Sequence, residues 1–378
     1  MIARTIINRT LLLVGLLLST VSFSYADETE QGNDPESHEN ASESKEFDAT
    51  SVILHHISDS HEYHLWDYTD DSGEIHKVSV PLPVILYVKD KGFSAFMSSE
   101  FHHDDHGEVA VERNGVSFLK AHDHIYIANA DGKLSVEEID GEEVITNTKP
   151  LDLSITKNVF AILLSFTIIF VVFVSVARSY TSNKKAPTGL AAFIEPLVLF
   201  IRDDIAIPNI GKDKYEKFMP YLLTVFFFIL LNNLMGLIPI FPFGANMTGN
   251  IAVTFTLAAI TLIITLINGN KNYWKHIFAT PGVPKLLLPI MIPVEIMGVL
   301  SKPFALMIRL FANISAGHII VLSLVSLIFI FKTVAIAPVS IGFVLFMDVL
   351  EILVAFLQAY VFTLLSALFF GLATDEAH

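Results

Sequence analysis

The chain has 378 residues, of which 52% are hydrophobic, with a formal net charge of −15 and no cysteine. Its mean hydropathy of +0.56 is high for a soluble protein and indicates membrane-spanning segments. The lack of cysteine excludes disulfides, thiol catalysis and cysteine metal sites. Residues 27–152 carry 29 acidic and 8 basic side chains, whereas residues 153–378 carry 10 and 14. This asymmetry predicts an acidic aqueous domain followed by a mildly basic membrane domain.

The N-terminal residues 1–26 have the pattern of a secretory signal peptide. Arg4 and Arg9 precede a short apolar core, and Ser24-Tyr25-Ala26 is a small-x-small cleavage site. An uncleaved N-terminal anchor is the alternative, although its apolar core is short for a span. Residues 27–49 are acidic and polar, so we predict a disordered linker there. Either way, the residues that follow are expected outside the membrane.

Residues 50–150 consist of short β-like runs such as EYHLWDY and GVSFLKAHDHIYI, separated by turn signals such as Asn114-Gly115. We predict a small, mostly β periplasmic domain. The segment is also rich in histidine, which together with aspartate can bind divalent metals at short spacing. The alternative is histidines on the surface of an acidic domain, because no spacing here is specific for a metal site. The candidate metal ligands are His102, His103, His106, His122 and His124.

Residues 151–378 are predicted to form an all-α polytopic membrane domain with about five transmembrane helices. Residues 158–177 carry no charge and predict the first span, with lysines after it on the cytoplasmic side. Residues 189–210 are amphipathic and predict an interfacial helix. Residues 218–270 contain no charged residue and predict two spans, about 219–237 and 249–268, joined by GLIPIFPFGANMTGN. The asparagines in this region would satisfy neighbouring backbone groups or line a water path.

The next apolar run contains Glu295, Lys302 and Arg309, each seven residues apart. Because seven residues drift only about 20° around a helix, the three charges form one polar stripe. Asn313 extends this stripe by one turn. A stretch of 38 residues from position 294 to position 331 would be about 57 Å long as a helix, so it must be strongly tilted in the bilayer. An arginine at the bilayer centre costs at least roughly 2.5–3.5 kcal/mol, which indicates a functional role.

A last apolar run contains Asp348, Glu351 and Gln358, and Pro338 follows a predicted turn at 332–337. An antiparallel hairpin about that turn would place Arg309 opposite Gln358 and His318 opposite Glu351. Glutamate and histidine can take up and release protons, whereas arginine stays charged and can act as an electrostatic gate. Structural pairing is the alternative for each of these groups, and Lys302 is expected to extend to the cytoplasmic interface.

The segment SKPFALMIRLFANISAGH resembles the signature of subunit a of the bacterial F-type ATP synthase membrane sector. The segments NNLMGLIP, TGNIAVT and EILVAFLQAYVFTLLSALFF are similar to the same family, and the resemblance covers about residues 157–376. It implies two half-channels against a rotating ring of c subunits. Arg309 would face the ring carboxylates and Glu295 would be the acid of the cytoplasmic half-channel. The outer half-channel would be lined by Asn313, His318, Glu351 and Gln358.

The resemblance further implies a non-catalytic stator subunit that couples proton flow to ATP synthesis or hydrolysis. Its partners would be the c ring, stator subunit b, the F1 sector and the lipid of the inner membrane, with the C-terminus cytoplasmic. We expect no cofactor and no nucleic-acid partner. Residues 1–150 are not part of the usual family pattern, and a cap or regulator of the outer half-channel is one hypothesis for them. A self-contained ion transporter with an outer metal-binding domain, and an enzyme that uses the histidine cluster, are the alternative functions.

Overall fold

The computed structural model describes residues 57–69, 75–139, 142–182, 188–238, 240–279, 286–331 and 336–375, together with positions 53, 284 and 333. The predicted signal peptide at 1–26 and the predicted linker at 27–49 lie outside the described residues.

The N-terminal part of the described chain is built from short antiparallel strands. Hydrogen bonds join them into four small sheets, with the orders β1-β2, β10-β3-β4, β5-β6-β7 and β8-β9. Buried side chains alternate with more exposed ones along β3 and β4. Val84, Leu86 and Phe96 point into one core with Phe101 and Phe118, as expected for sheets with one buried face. A mostly β domain is therefore present. The strands are β1 Glu62–Thr69, β2 Ile75–Pro81, β3 Pro83–Val88, β4 Gly92–Met97, β5 His106–Arg113, β6 Val116–Ala121, β7 His124–Ile127, β8 Val136–Ile139, β9 Glu142–Ile145 and β10 Leu151–Asp152.

The remainder of the described chain is helical. Residues Ile201–Ala206 are π-helical and join α2 directly to α3. The helices are α1 Lys157–Ser182, α2 Leu190–Phe200, α3 Ile207–Ile210, α4 Tyr215–Gly236, α5 Ile251–Ile267, α6 Lys271–Phe278, α7 Leu288–Phe331 and α8 Ala337–Thr374.

Four of the described helices, α1, α4, α7 and α8, are long and apolar enough to cross a membrane. The count becomes five if α5 and α6 form one span, although they meet at an angle of 105°. A polytopic helical membrane protein is therefore confirmed. The predicted break in the charge-free run lies between Gly236 and Ile251, where Asn250 caps α5 by accepting a hydrogen bond from the backbone N–H of Ala252 at 2.9 Å.

The core of the helical part forms where α2–α3, α4, α5, α7 and α8 meet. Its most deeply buried side chains include Ile201, Leu222, Phe226, Phe362 and Phe370. The long helices α7 and α8 are packed on one side only, because many large apolar residues of both remain exposed on the other side. This bare apolar surface is consistent with a lipid or protein environment along the hairpin.

A third, smaller apolar cluster joins the two parts of the chain. Tyr63 and Leu82 of the β domain pack with Ala161 of α1 and with Ala245 in the connection between α4 and α5. The Tyr63 ring lies edge-on to Phe160 at 5.8 Å and to Phe241 at 5.3 Å between centroids. The β domain therefore lies directly on the end of the helical bundle at which α1 begins.

Candidate functional site

Arg309 lies near the middle of α7, on the face of that helix that points away from the bundle. Leu306 and Leu310 are buried against the core, whereas Arg309 and Asn313 are exposed. This follows from the helical period, since residues three and four apart share a face. Within the described part of the chain, Arg309 has no ion-pair partner. Its charge is therefore available to a group outside this chain.

The register of the α7–α8 hairpin agrees with the one predicted from the turn. Ser340 Oγ donates a hydrogen bond to the carbonyl of Leu324 near the turn. Further along, a Cβ at Gly317 would lie 2.7 Å from Glu351 Oε1, so the carboxyl group fills the space that this glycine leaves. At the far end, Lys302 Nζ lies 5.9 Å from the ring centroid of Phe369. The turn residues therefore predict which levels of the two helices meet.

The predicted His318–Glu351 contact is wrong in its detail. Glu351 lies against Gly317, and its Oε1 atom is buried without a hydrogen-bond partner among the described residues. His318 Nδ1 instead lies 3.2 Å from the carbonyl of Ile314 in its own helix. Its ring lies against α4, where a Cβ added to Gly236 would be 3.7 Å from His318 Nε2. The two groups lie at neighbouring levels, but no ion pair joins them.

Arg309 and Gln358 also do not form the predicted contact. Gln358 is only 4% exposed and lies on the buried face of α8 with Ala355 and Ala359, whereas Arg309 points outward. No hydrogen bond joins the two side chains within the described residues. The physical reason is that a hairpin register fixes the level of a residue along the helix and leaves its rotation around the axis undetermined.

Asparagines of α4 and of the following connection extend the polar region across the bundle. Thr248 Oγ1 donates to Asn233 Oδ1 at 2.7 Å, and Asn233 Nδ2 donates to the carbonyl of Ala355 in α8 at 3.5 Å. The side-chain oxygens of Asn232 and Asn246 are buried and have no hydrogen-bond partner in the described structure. Because an unsatisfied buried polar atom costs about 1–3 kcal/mol, these oxygens favour bound water.

Glu295 lies near the other end of α7, away from His318 and Glu351. Its Oε2 atom is 3.9 Å from Nδ1 of His276 in α6, and both side chains retain access to solvent. The sequence analysis did not identify His276 as a partner of Glu295. The available signal was the amphipathic segment KNYWKHIF with its basic end, but no local pattern indicates which distant acid it approaches.

The five candidate metal ligands are not brought together. His103 Nδ1 lies 2.9 Å from Glu62 Oε2, whereas His102, His106, His122 and His124 are exposed around the turns beside β5, β6 and β7. The left-handed backbone at His102, His103 and His122 turns consecutive side chains apart. Among all described residues, no three histidine, aspartate or glutamate side chains form a group that could hold a metal ion. The arrangement of the described residues therefore gives the metal hypothesis no support.

Two family models match the chain in succession. Residues 52–153 match a domain of unknown function, DUF8433, and residues 159–371 match the ATP synthase A chain. The second match covers more than half of the 378 residues.

Among curated relatives, ATP synthase subunit a of Chloroherpeton thalassium is 50% identical over 240 residues, covering 60% of this chain and 70% of the relative. Subunit a of Chlorobium phaeobacteroides (strain DSM 266) is 46% identical over 284 residues, covering 72% and 80%. The helical part, residues 157–378, makes up less than 60% of the chain. A match that covers 72% of the chain therefore includes part of the β domain. A relative of the same name from Myxococcus xanthus is 46% identical over 235 residues, covering 60% and 75%. The outward-facing arginine, the long helical hairpin and these matches together establish that the chain belongs to the ATP synthase A chain family.

Proposed function

We propose that this chain is the proton-translocating stator subunit of an F-type ATP synthase membrane sector and couples proton flow to ATP synthesis and hydrolysis. The observation that carries the proposal is Arg309, a permanent charge on the exposed face of a 44-residue apolar helix. Arginine does not lose its proton, so it cannot relay one. It can attract a carboxylate carried on a neighbouring rotor and prevent a proton from passing directly between two access paths.

We assign the two access paths to the two polar groups on either side of Arg309. Glu295, with His276 beside it, serves the cytoplasmic path. His318, Glu351, Asn313 and Gln358 serve the outer path, supported by the buried Oε1 atom of Glu351 and by the unsatisfied asparagine oxygens of α4 and of the connection that follows it. A proton that enters from outside would neutralise the rotor carboxylate, which then moves away from Arg309 into the apolar environment. After the rotor has turned, the carboxylate would release this proton towards Glu295.

This assignment implies partners and an orientation. The exposed apolar faces of α7 and α8 would contact a ring of c subunits and lipid, and further contacts would be made with stator subunit b and, through the complex, with the F1 sector. The β domain would be periplasmic and the C-terminus cytoplasmic in a bacterial inner membrane. The chain itself would be non-catalytic, with nucleotide chemistry on the partner sector.

The decisive experiment is ATP-driven proton uptake into inverted membrane vesicles with Arg309→Ala. We expect assembly to be normal and uptake to be abolished, because the rotor carboxylate loses its counter-charge. Arg202→Ala is the matched control, since Arg202 is paired with Asp203 at 2.7 Å at the bundle surface and lies outside both proposed paths. Normal pumping by an assembled Arg309→Ala enzyme would disprove the proposal.

A further inference from the structure

The junction between the β domain and α1 contains ionisable groups that the mechanism above does not use. Asp59 Oδ1 accepts a hydrogen bond from the backbone N–H of Asn158 at 2.9 Å, and Asp59 Oδ2 accepts one from Thr156 Oγ1 at 3.0 Å. Asp59 thereby caps the start of the first membrane helix, where the helix dipole favours a negative charge. Lys157, next in the chain, is only 8% exposed and interacts electrostatically with Asp59.

A buried histidine lies on the β-domain side of this junction. His61 is 3% exposed, and its Nε2 atom lies 2.8 Å from Asp152 Oδ2. Its other ring nitrogen, Nδ1, is buried and has no hydrogen-bond partner among the described residues. A buried ring nitrogen with no protein partner costs free energy unless a water molecule binds it. One ring nitrogen of His61 is therefore held by Asp152, and a bound water molecule would satisfy the other.

The same junction continues into the membrane towards the outer access path. Tyr63 OH donates to the carbonyl of Pro242 at 3.4 Å, which fixes the β domain on the connection between α4 and α5. A Cβ added to Gly236 of α4 would lie 3.2 Å from the carbonyl oxygen of Ala245 in that connection and 3.7 Å from Nε2 of His318. The connection between α4 and α5 therefore touches both the β domain and His318, with the apolar cluster around Tyr63 beside it.

Buried polar atoms without a protein partner mark the same course. Besides His61 Nδ1, they are Asn158 Oδ1 at the start of α1, Asn246 Oδ1 in the connection, Asn232 Oδ1 in α4 and Glu351 Oε1 in α8. Unsatisfied polar atoms are rare in folded proteins, and each requires an explanation such as bound water. Bound water is the simplest partner for each of these atoms, and the helices that carry them are in contact, α1 with α4 and α4 with α8.

We propose that the N-terminal β domain carries the outer entry of the proton path, with His61 as its proton-exchanging group and a water chain past Lys157 and Asn158 to His318 and Glu351. The inference rests on the proposed function, since it extends the outer path assigned above. In each cycle protonated His61 gives the proton on Nδ1 to a water molecule of the chain, while Nε2 stays hydrogen-bonded to Asp152. The neutral Nδ1 then takes the next proton from water that is continuous with the outer solution, so the net charge of the site is restored and no other reactant is consumed.

The charges that face this entry come from every element packed around it. His61 is faced by Asp59 before β1, Lys120 of β6, His124 of β7 and Asp152 of β10, and Lys157 is faced by Asp59 and by Asp123 in the β6–β7 turn. Burial and the charge of Lys120 lower the pKa of His61, but the hydrogen bond and charge of Asp152 and the charge of Asp59 outweigh them and raise it. The surroundings of His61 therefore favour its positive form.

The first test is passive proton flow through inverted vesicles from which the F1 sector has been removed, with the β domain facing the lumen. Flow is driven from lumen to bath by a potassium diffusion potential, and the lumen pH is varied. We expect His61→Gln, which can still hydrogen-bond to Asp152 but cannot carry a proton, to lose most of the flow and its dependence on lumen pH. The matched control is His64→Gln, because His64 is exposed on the adjoining strand β1. Unchanged flow in assembled His61→Gln vesicles would overturn the inference.

A reference variant separates this inference from the proposed function. Glu351→Gln is expected to block flow whether or not the β domain takes part. If Glu351→Gln conducts normally, the proposed function fails. If it blocks while His61→Gln conducts as wild type at every lumen pH, only the inference about the β domain fails.

The second test needs no assumption about the folding of a histidine variant. Because the chain has no cysteine, a single Asn158→Cys substitution gives one thiol in this subunit, and silver ions are small enough to enter a water chain. We expect silver added on the lumen side to stop proton flow in Asn158→Cys vesicles and to leave Phe226→Cys vesicles unaffected, because Phe226 is completely buried in the apolar core. Silver resistance of Asn158→Cys would count against a water-filled entry.

Discussion

Single charged residues occur in two opposite environments in this chain. Lys120 is only 2% exposed and lies between Glu62 Oε1 at 3.7 Å and Asp105 Oδ1 at 3.5 Å. Arg309 is exposed on an apolar helix and has no acidic partner in the described part of the chain. Buried charges in folded domains are paired because desolvation is costly, whereas a charge without a partner on an apolar surface indicates an intermolecular partner.

The His61–Asp152 pair should make the stability of the β domain depend on pH. Burial lowers the pKa of His61, but the hydrogen bond to Asp152 and the charges of Asp152 and Asp59 outweigh it and raise the pKa above 6.5. The contribution of His61 to stability is then fully present below about pH 6.5 and is lost as the pH rises through the higher folded-state pKa. For Asp152, burial raises the pKa, but the charge of His61 and the hydrogen bonds with His61 and Ser154 outweigh burial and lower the pKa below 3.8. The contribution of Asp152 is therefore lost only in strong acid.

We expect amide hydrogen exchange of β3 and β10 in the assembled enzyme to show protection that falls as the pH is raised above 6.5, after correction for intrinsic exchange rates. The loss should be about 1.5–3 kcal/mol of local opening free energy, the value of a hydrogen bond to a charged group. His61→Gln should remove the pH dependence, whereas His64→Gln should leave it in place. Protection that rises with pH in the wild type would contradict this interpretation.

At the scale of elements, close packing between α8 and α3 depends on a glycine. A Cβ on Gly371 would lie 1.9 Å from the carbonyl oxygen of Asn209 at the end of α3, a distance that no backbone shift of a few tenths of an ångström can accommodate. Lys214 Nζ also donates to the carbonyl of Thr374 at 2.8 Å and satisfies one of the free carbonyls at the end of α8. The interfacial segment and the last helix are therefore locked together at one end of the bundle.

Gly371→Ala should consequently destabilise the bundle by about 1–3 kcal/mol, because a buried position that is already full must accept a methyl group. The matched substitution is Gly342→Ala in the same helix, where no atom lies within 4 Å of the added Cβ and alanine favours the helix. Thermal inactivation of ATP-driven pumping in membranes measures both effects. Equal inactivation temperatures for the two variants would show that α3 and α8 do not approach as closely as described.

The helices are largely predictable from the sequence, but the contacts between them are not. A charge-free run interrupted by GLIPIFPFGANMTGN predicts α4 and α5 to within a few residues, and Pro338 predicts the start of α8. These predictions use only local composition. The predicted hairpin register also agrees with the structure, whereas the two predicted side-chain pairs do not, because the rotation of each helix depends on its packing in the bundle, of α8 against α4 and of α7 against α5. The contact between Gly371 and Asn209 has no local signal at all.

For the whole molecule, the main feature that sequence reasoning missed is the contact between its two parts. Composition separates an acidic β region from a basic helical region and predicts that a domain lies outside the membrane. It does not indicate that Asp59 caps α1 or that Tyr63 packs on Phe160 and Phe241, because residues about 100 and 180 positions apart share no periodic pattern. The histidines illustrate the same limit, since their closeness in sequence suggested a metal site, whereas the described side chains do not form a group of ligands.

The final prediction concerns this contact between the two parts. Tyr63 is 4% exposed, with its ring against two phenylalanines and its hydroxyl hydrogen-bonded to Pro242. Tyr63→Ala should weaken the attachment of the β domain to the bundle by about 3–5 kcal/mol, the usual cost of truncating a buried aromatic residue. Limited proteolysis of assembled vesicles should then cleave the connection between α4 and α5 faster than in the wild type. Tyr68→Ala, on the same strand but 51% exposed, should be cleaved at the wild-type rate. If the two variants are equally resistant, the β domain does not depend on Tyr63 to stay on the bundle, and a continuous path between the two parts would lose its structural basis.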